Sequence, residues 1–339
     1  MYQPESYSIA LTFMFITMLC WGSWANTMKL APGYRFQLFY WDYVIGLFVG
    51  ALLWGLTLGS SSMGSNGAAG LPFLTDLTQA HSQNIVYALL GGIIFNIANL
   101  LLVAAIDVAG LAVAFPIGIG LALVVGAVSS YVLAPKGNPL MLFAGVALVV
   151  AAIICDAAAY RAREGAAARK ASARGIILSL VAGLLMGTFY PFVSKAMAPD
   201  ASGQGAPGPY AISFLFVCGV ALCALPFNYF LMRKPLDGKP PVTMAGYASA
   251  QPSWHLWGIL GGVIWCTGAT LNFVASRTAI VGPAVSYSIG QGATMVSAAW
   301  GVFIWREFAS APKNAKTLLV AMFVLFVLGL TCVALAPLY

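Results

Sequence analysis

Long apolar runs alternate with short polar connections along the chain, and the runs have the length a bilayer demands rather than that of a soluble core helix. Ten stand out, at 7–28, 36–59, 84–106, 108–133, 138–155, 175–194, 209–232, 254–276, 278–305 and 317–339. A hydrocarbon core takes about 20 residues of α-helix to cross, so each run predicts one spanning helix. The runs are continuous, without the alternating segments of an outer-membrane barrel. Of 16 basic and 9 acidic residues, only Asp42 falls inside a run, as expected when a charge in hydrocarbon is costly. The predicted fold class is an all-α integral membrane protein of ten transmembrane helices. The opening MYQPESYS has no basic flank, so the first run reads as a retained helix and not a signal peptide.

Composition removes the soluble classes. The 339 residues are 61% apolar and 7% charged, whereas soluble domains carry about 25% charged residues. The net charge of +7 invites a nucleic-acid reading, but its distribution is that of a topology signal. Connections after the odd-numbered runs hold 13 Lys and Arg, and the other side holds three, Lys136, Lys195 and Arg277. The basic side is therefore expected in the cytoplasm, facing anionic lipid, with both termini outside and the protein in the inner (plasma) membrane; no nucleic-acid partner is expected. All six cysteines (Cys20, Cys155, Cys218, Cys223, Cys266, Cys332) lie in apolar runs and read as small hydrophobes. His81 and His255 lie far apart near predicted boundaries, so no shared metal site and no cofactor is expected.

The two halves repeat. GLAVAFPIGIG at 110–120 matches GPAVSYSIGQG at 282–292 with six identities in eleven positions, GGIIF at 91 matches GGVIW at 261, and Gly22-Ser23-Trp24 is similar to Gly187-Thr188-Phe189. Three matches in the same order predict two five-helix units, 1–155 and 175–339, joined by the basic linker 156–174. An odd number of spans per unit forces the second to enter from the opposite side. Inverted repeats are the architecture of secondary transporters, with the solute site near the midplane and access alternating around it. The Gly/Ser-rich stretch 60–82 reads as an external loop, and 199–208 and 233–253 as further polar connections.

Five plus five helices resemble the drug/metabolite transporter superfamily. Within it, Met1-Tyr2, Glu5-Ser6, Trp21-Gly22-Ser23-Trp24, Tyr40-Trp41-Asp42-Tyr43 and Leu56-Thr57-Leu58-Gly59 are similar to the opening of the ureide permeases, with the rhamnose–proton symporter and glucose/ribose porter branch as the nearest rival. The linker departs from the plant ureide permeases in lacking their longer central loop and its phosphate-loop-like stretch. The resemblance implies a permease for a small uncharged polar metabolite such as a ureide, nucleobase, nucleoside or monosaccharide; a monosaccharide symporter is the alternative, and a channel or intramembrane enzyme a remote one.

Candidate chemistry sits on the helices that line the cavity in related transporters. Trp21, Trp24 and Asn26 in the first run, Asn96 and Asn99 in the third, Tyr190 in the sixth, Thr267, Thr270 and Asn272 in the eighth, and Tyr287 and Gln291 in the ninth offer paired donors, acceptors and aromatic faces to a neutral solute. The bland alternative for each is helix-to-helix glue or an interfacial belt. Asp42 is expected to couple transport to protons, or else to be a structural carboxylate held by Lys29, Arg35 or a tyrosine. Pro116, Gly118 and Gly120, with Gly282 and Pro283, mark places where a helix bends, breaks or packs closely. No G-x-x-x-x-G-K-[Ser/Thr] motif is present, so an ion gradient or the solute gradient is the expected energy source.

Overall fold

The computed structural model of the chain describes residues 1–61, 71–164, 172–199, 205–236 and 239–339, and among these there is helix and no strand. The helices are α1 (Tyr7–Ser23), continued by a 3₁₀ turn over Trp24–Leu30, α2 (Phe36–Leu56), α3 (Phe73–Gln79), α4 (Ser82–Ala109), α5 (Leu111–Leu133) and α6 (Pro139–Glu164). The second half holds α7 (Ala173–Ala196), α8 (Pro209–Arg233), α9 (Met244–Ala248), α10 (Pro252–Ser276), α11 (Gly282–Gly290), α12 (Ala293–Ala299) and α13 (Lys313–Leu335). Local chemistry starts several of them. Ser6 Oγ accepts the Ile9 amide at 3.4 Å and Ser172 Oγ the Gly175 amide at 3.1 Å, satisfying donors that a helix leaves free at its start. Pro209 and Pro252 occupy first-turn positions where no amide is needed.

Among the described residues nine helices are long and apolar enough to cross a membrane. The run 278–305 corrects the expectation of a tenth continuous helix. It divides at Gln291 and Gly292 into α11 and α12, followed by a π-helical turn over Trp300–Ile304. Tight bonds from the Gly292 amide to Ile289 O (2.9 Å), from Thr294 to Gln291 O (3.2 Å) and from Met295 to Gly292 O (2.9 Å) replace the α-helical ladder there. The physical reason is a glycine on either side of Gln291, each without a side chain to bias the backbone toward helix. Both are pressed by neighbours: a Cβ on Gly290 would lie 2.7 Å from Trp21 Cζ3, and one on Gly292 2.5 Å from Met18 Sδ. Gly120, at the matching place in the first half, meets open space, and α5 runs through it unbroken.

Two other boundaries shift. The stretch read as the external loop 60–82 contains α3, and its residues 62–70 lie outside the described residues. The linker expected from 156 begins later, because α6 continues to Glu164; residues 165–171 of it are likewise outside the described set.

Glycines set which helices touch. Where α2 crosses α10, a Cβ on Gly46 would overlap the Ile259 carbonyl and one on Gly262 the Tyr43 carbonyl. Where α4 crosses α8, Gly92 meets the Phe216 carbonyl and Gly219 the Leu89 carbonyl in the same manner. Gly92 and Gly262 are the second glycines of the GGIIF and GGVIW stretches, so that sequence match marks two close helix crossings. Gly22 packs against Ala293 and Val296 of α12, as Gly187 packs against Ala122 and Val125 of α5. Gly145 of α6 and Gly329 of α13 lie on each other's carbonyls, at 2.7 and 2.8 Å from the added Cβ. Small residues let backbones approach and gain dispersion where lipid offers no hydrophobic drive for helix association. Leu19, Ile177, Leu222 and Val320 point outward and are exposed, as a lipid-facing surface requires.

Candidate functional site

An aromatic cluster occupies the middle of the bundle. Trp21 of α1 stacks on Trp265 of α10, with ring centroids 5.8 Å apart and planes 16° from parallel. Phe95 of α4 lies 4.4 Å from Trp265, and Phe216 of α8 is near-parallel to it at 6.0 Å. Glycines make room for the ring of Trp21, since a Cβ on Gly268 would sit 2.8 Å from its Cδ1. Trp24 packs on Tyr43 at 4.8 Å, and Tyr43 on Tyr40 at 5.3 Å.

Polar groups from seven helices join these rings. The Tyr40 hydroxyl donates to Asn96 Oδ1 at 2.8 Å and accepts from Asn99 Nδ2 at 3.3 Å. Tyr190 donates to Asn272 Oδ1, while Asn272 Nδ2 donates to the Ser286 carbonyl and Ser286 Oγ returns a bond to the Asn272 carbonyl, both at 2.9 Å. The Tyr287 hydroxyl is shared between the carbonyls of Ala122 at 3.2 Å and Met186 at 3.3 Å. Thr270 bonds Ser213 at 2.7 Å. Three buried polar atoms in this cluster have no partner among the described residues: Trp21 Nε1, Tyr43 Oη and Asn96 Nδ2. Each can donate. A buried donor left unpaired costs about 1–3 kcal/mol, so an acceptor reaching these atoms would be stabilised by them.

The structure therefore brings together Trp21, Trp24, Asn96, Asn99, Tyr190, Asn272 and Tyr287 of the expected site residues. Three others stand apart or unengaged. Asn26 accepts from Trp305 Nε1 at 2.6 Å toward the basic end, Thr267 accepts from Trp54 Nε1 at 2.8 Å on the α2 side, and Gln291 is half-buried at the α11–α12 break. Sequence reasoning passed over Tyr40, Tyr43, Phe95, Phe216 and Trp265. Tyr40 and Tyr43 carried a signal, since residues three apart on a helix share a face.

Asp42 is 1% exposed and held by tyrosines rather than by Lys29 or Arg35. It accepts from the Tyr34 hydroxyl at 2.7 Å, the Tyr247 hydroxyl at 2.6 Å and His255 Nδ1 at 2.9 Å. Burial, and then the bond to Asp42, push both phenols above their ordinary range, so they stay protonated donors. The cluster ties the start of α2 to the start of α10 and to α9. His255 had a findable signal, because it opens the eighth run on the same predicted side as Asp42 opens the second.

A second basic-end cluster closes around Glu307. Its carboxylate meets Lys29 Nζ at 2.6 Å and Arg163 at 3.1 Å, and accepts from Tyr160 at 3.2 Å. Trp300 Nε1 donates to Ser23 Oγ at 2.8 Å alongside. Arg306, just before it, holds a left-handed backbone at φ 52, strain of the sort that surrounding contacts must over-determine. Burial alone would raise the Glu307 carboxyl, but the hydrogen bond and charge of Lys29 and the charge of Arg163 outweigh it and hold it below its ordinary value. A depressed acid contributes stability above its unfolded value of about 4.3 that is lost as pH falls through the folded one. Glu307→Gln is thus expected to lower the melting temperature in detergent at neutral pH, with the gap from wild type closing in acid. A gap that stays constant with pH would count against the cluster.

The opposite end is tied as well. Asp76 of α3 accepts the Gly208 amide at 2.7 Å, Arg277 donates to the Pro207 and Ala206 carbonyls at 2.6 and 3.0 Å, and Asn84 donates to the Ala196 and Ala198 carbonyls at 2.9 Å each. Burial raises the Asp76 carboxyl, opposed by the Gly208 amide, Arg277 and the chain's amino terminus. The central cluster is thus enclosed by hydrogen-bonded closures at both ends.

Residues 39–174 and 163–336 match the ureide permease family. The chain belongs to that family. Ureide permease 1 of Arabidopsis thaliana is 24% identical across 97% of each chain, and ureide permease 2 of the same plant is 24% identical across 96% of each. A probable ureide permease, A3, of Vigna unguiculata is 31% identical over 44% of this chain and 40% of its own. A solved crystal structure, 14% identical, superposes with a TM-score of 0.61 over 95% of this chain and 96% of its own, which supports the fold. The family member described here is a multi-pass membrane transporter of small polar solutes and not an enzyme.

Proposed function

We propose that the chain moves a flat, carbonyl-bearing neutral solute of the ureide or nucleobase kind by alternating access, coupled to protons, across the inner membrane. The observation that carries this is the stacked Trp21–Trp265 pair set among three buried donors without acceptors: a planar solute lies against the rings while its carbonyls take the donors. The relatives' name, ureide permease, agrees with such a solute. Two inverted five-helix units, 1–155 and 175–339, are supported by the paired glycine crossings, because exchanging the units turns the α2–α10 crossing into α8–α4 and the α1–α12 contact into α7–α5. With the basic end in the cytoplasm and both termini outside, Asp42 with Tyr34, Tyr247 and His255, and Glu307 with Lys29, form the cytoplasmic latches. Asp42, the expected coupling acid, has a full set of donors and serves as a latch.

A thermal-shift screen of detergent-purified protein against ureides, nucleobases, nucleosides and monosaccharides tests the solute class. Stabilisation by a ureide or nucleobase is expected; stabilisation by monosaccharides alone overturns this reading in favour of a sugar symporter. Trp21→Ala and Asn96→Ala are expected to weaken binding of the stabilising solute by about 1–3 kcal/mol each, measured calorimetrically. Thr267→Ala and Asn26→Ala, which lie outside the cluster, are expected to bind as wild type.

A further inference from the structure

One acid is used by nothing described so far. Asp156 lies about two turns before the end of α6, is 4% exposed, and has a buried Oδ1 without a hydrogen-bond partner among the described residues. The contrast with Asp42, which receives bonds from three side chains, is chemical. An ionised carboxylate is an acceptor only and needs donors when buried, whereas a protonated one carries its own donor and leaves less unsatisfied. Asp156 lies one turn before Tyr160 on the same face of α6, and Tyr160 donates to Glu307 Oε2 at 3.2 Å, so the two acids share one corner, where neighbouring carboxylates resist being ionised together. Glu307 is the one that has cationic partners.

We propose that Asp156 is a proton-binding site, occupied while the Lys29–Glu307 latch is closed and emptied when that latch opens. The link to the latch is steric and electrostatic. Glu307 is anchored through its amide to the Gly301 carbonyl at 2.9 Å, and a Cβ on Gly301 would lie 3.1 Å from the Tyr160 hydroxyl and 3.3 Å from Glu307 Oε2, so this corner moves as a unit. Separation of Lys29 from Glu307 admits water to Asp156, which then ionises and gives its proton to that side. The charged and titratable groups on α6 and on the elements packed against it at this end are Tyr160 and Arg163 on α6, Glu307 with its partner Lys29, Arg306 in the connection that carries Glu307, and Lys313 and Lys316 at the start of α13. Lys316 is occupied by the Ala309 carbonyl at 3.1 Å, and the tyrosine of the adjoining α5, Tyr131, bonds the Gly137 carbonyl at that helix's far end.

The opening half of this inference rests on the alternating-access reading, and the experiment separates the two. Infrared spectra of the wild-type protein across neutral pH are expected to contain a protonated-carboxyl band that titrates and is missing in Asp156→Asn. Spin labels at Leu30→Cys and Ala309→Cys, in a chain cleared of its own cysteines, are expected to separate as the band disappears with rising pH. In Asp156→Asn the label distances should no longer depend on pH, and Asp156→Glu should restore the dependence. Absence of the band from the wild type overturns the proton site without reference to any variant. Labels that separate with unchanged pH dependence in Asp156→Asn overturn its tie to the latch. Labels that never separate in the wild type overturn alternating access and the tie together, while the band still decides the proton.

Discussion

Gly46→Ala is expected to abolish accumulation of folded protein in the membrane, although the change adds one methyl group. The α2–α10 crossing brings backbone against backbone, so the new Cβ would overlap the Ile259 carbonyl and lie 2.9 Å from Gly262 Cα. Neither neighbour is a flexible side-chain end that can swing aside. The helices must separate, and every contact along the crossing weakens together, including the approach of α10 that sets Trp265 under Trp21. Overpacking costs about 1–3 kcal/mol when a core can adjust; here the adjustment required is of whole helices. Gly120→Ala provides the control, because nothing lies within 4 Å of its added Cβ. There the substitution is expected to be neutral or to stabilise by up to about 1 kcal/mol through helix propensity. Yield of monodisperse protein in detergent and its denaturation midpoint compare the two, and equal tolerance would contradict the crossing described.

Asp42→Leu is the substitution expected to cost most among side-chain changes. It leaves the hydroxyls of Tyr34 and Tyr247 and the imidazole of His255 facing a methyl group in place of their shared acceptor. Breaking a buried, hydrogen-bonded charge cluster from one side typically costs about 3–5 kcal/mol, because the remaining partners stay desolvated. Asp42→Asn is expected to cost less, since its amide oxygen still accepts and a tyrosine hydroxyl can turn to receive the amide. Chemical denaturation in detergent gives the order wild type, Asn, Leu. Transport separates the roles: with Asp42 as a latch, Asn impairs exchange and accumulation together, whereas loss of accumulation alone with exchange intact would return Asp42 to proton coupling.

The sequence by itself determined the membrane class and most of the helices, because satisfying a bilayer is a local condition. Each span must be apolar over its own length and keep its hydrogen bonds within itself, and charges must stay out, so runs and flanking lysines and arginines are readable one segment at a time. The break at Gln291 and Gly292 was harder to read: apolar character continues through 278–305, and Gly120 at the matching place leaves α5 unbroken, whereas Gly290 and Gly292 lie against Trp21 and Met18 from the other end of the chain. Asp156 escaped notice because the apolar run stops at Cys155 while its helix continues to Glu164, carrying the acid inward among side chains. Asn96, Asn272 and Tyr190 were legible as polar residues in lipid, and such residues must find partners somewhere. Which partner each finds, and which donors are left without one, depended on residues 14 to 82 positions apart in the chain being brought into hydrogen-bond contact. Only the tertiary structure decided that Asp42 meets His255 and that Asn26 and Thr267 bond tryptophans away from the cluster, since a hydrogen bond is settled by distance and direction in space, to which spacing along the chain is blind.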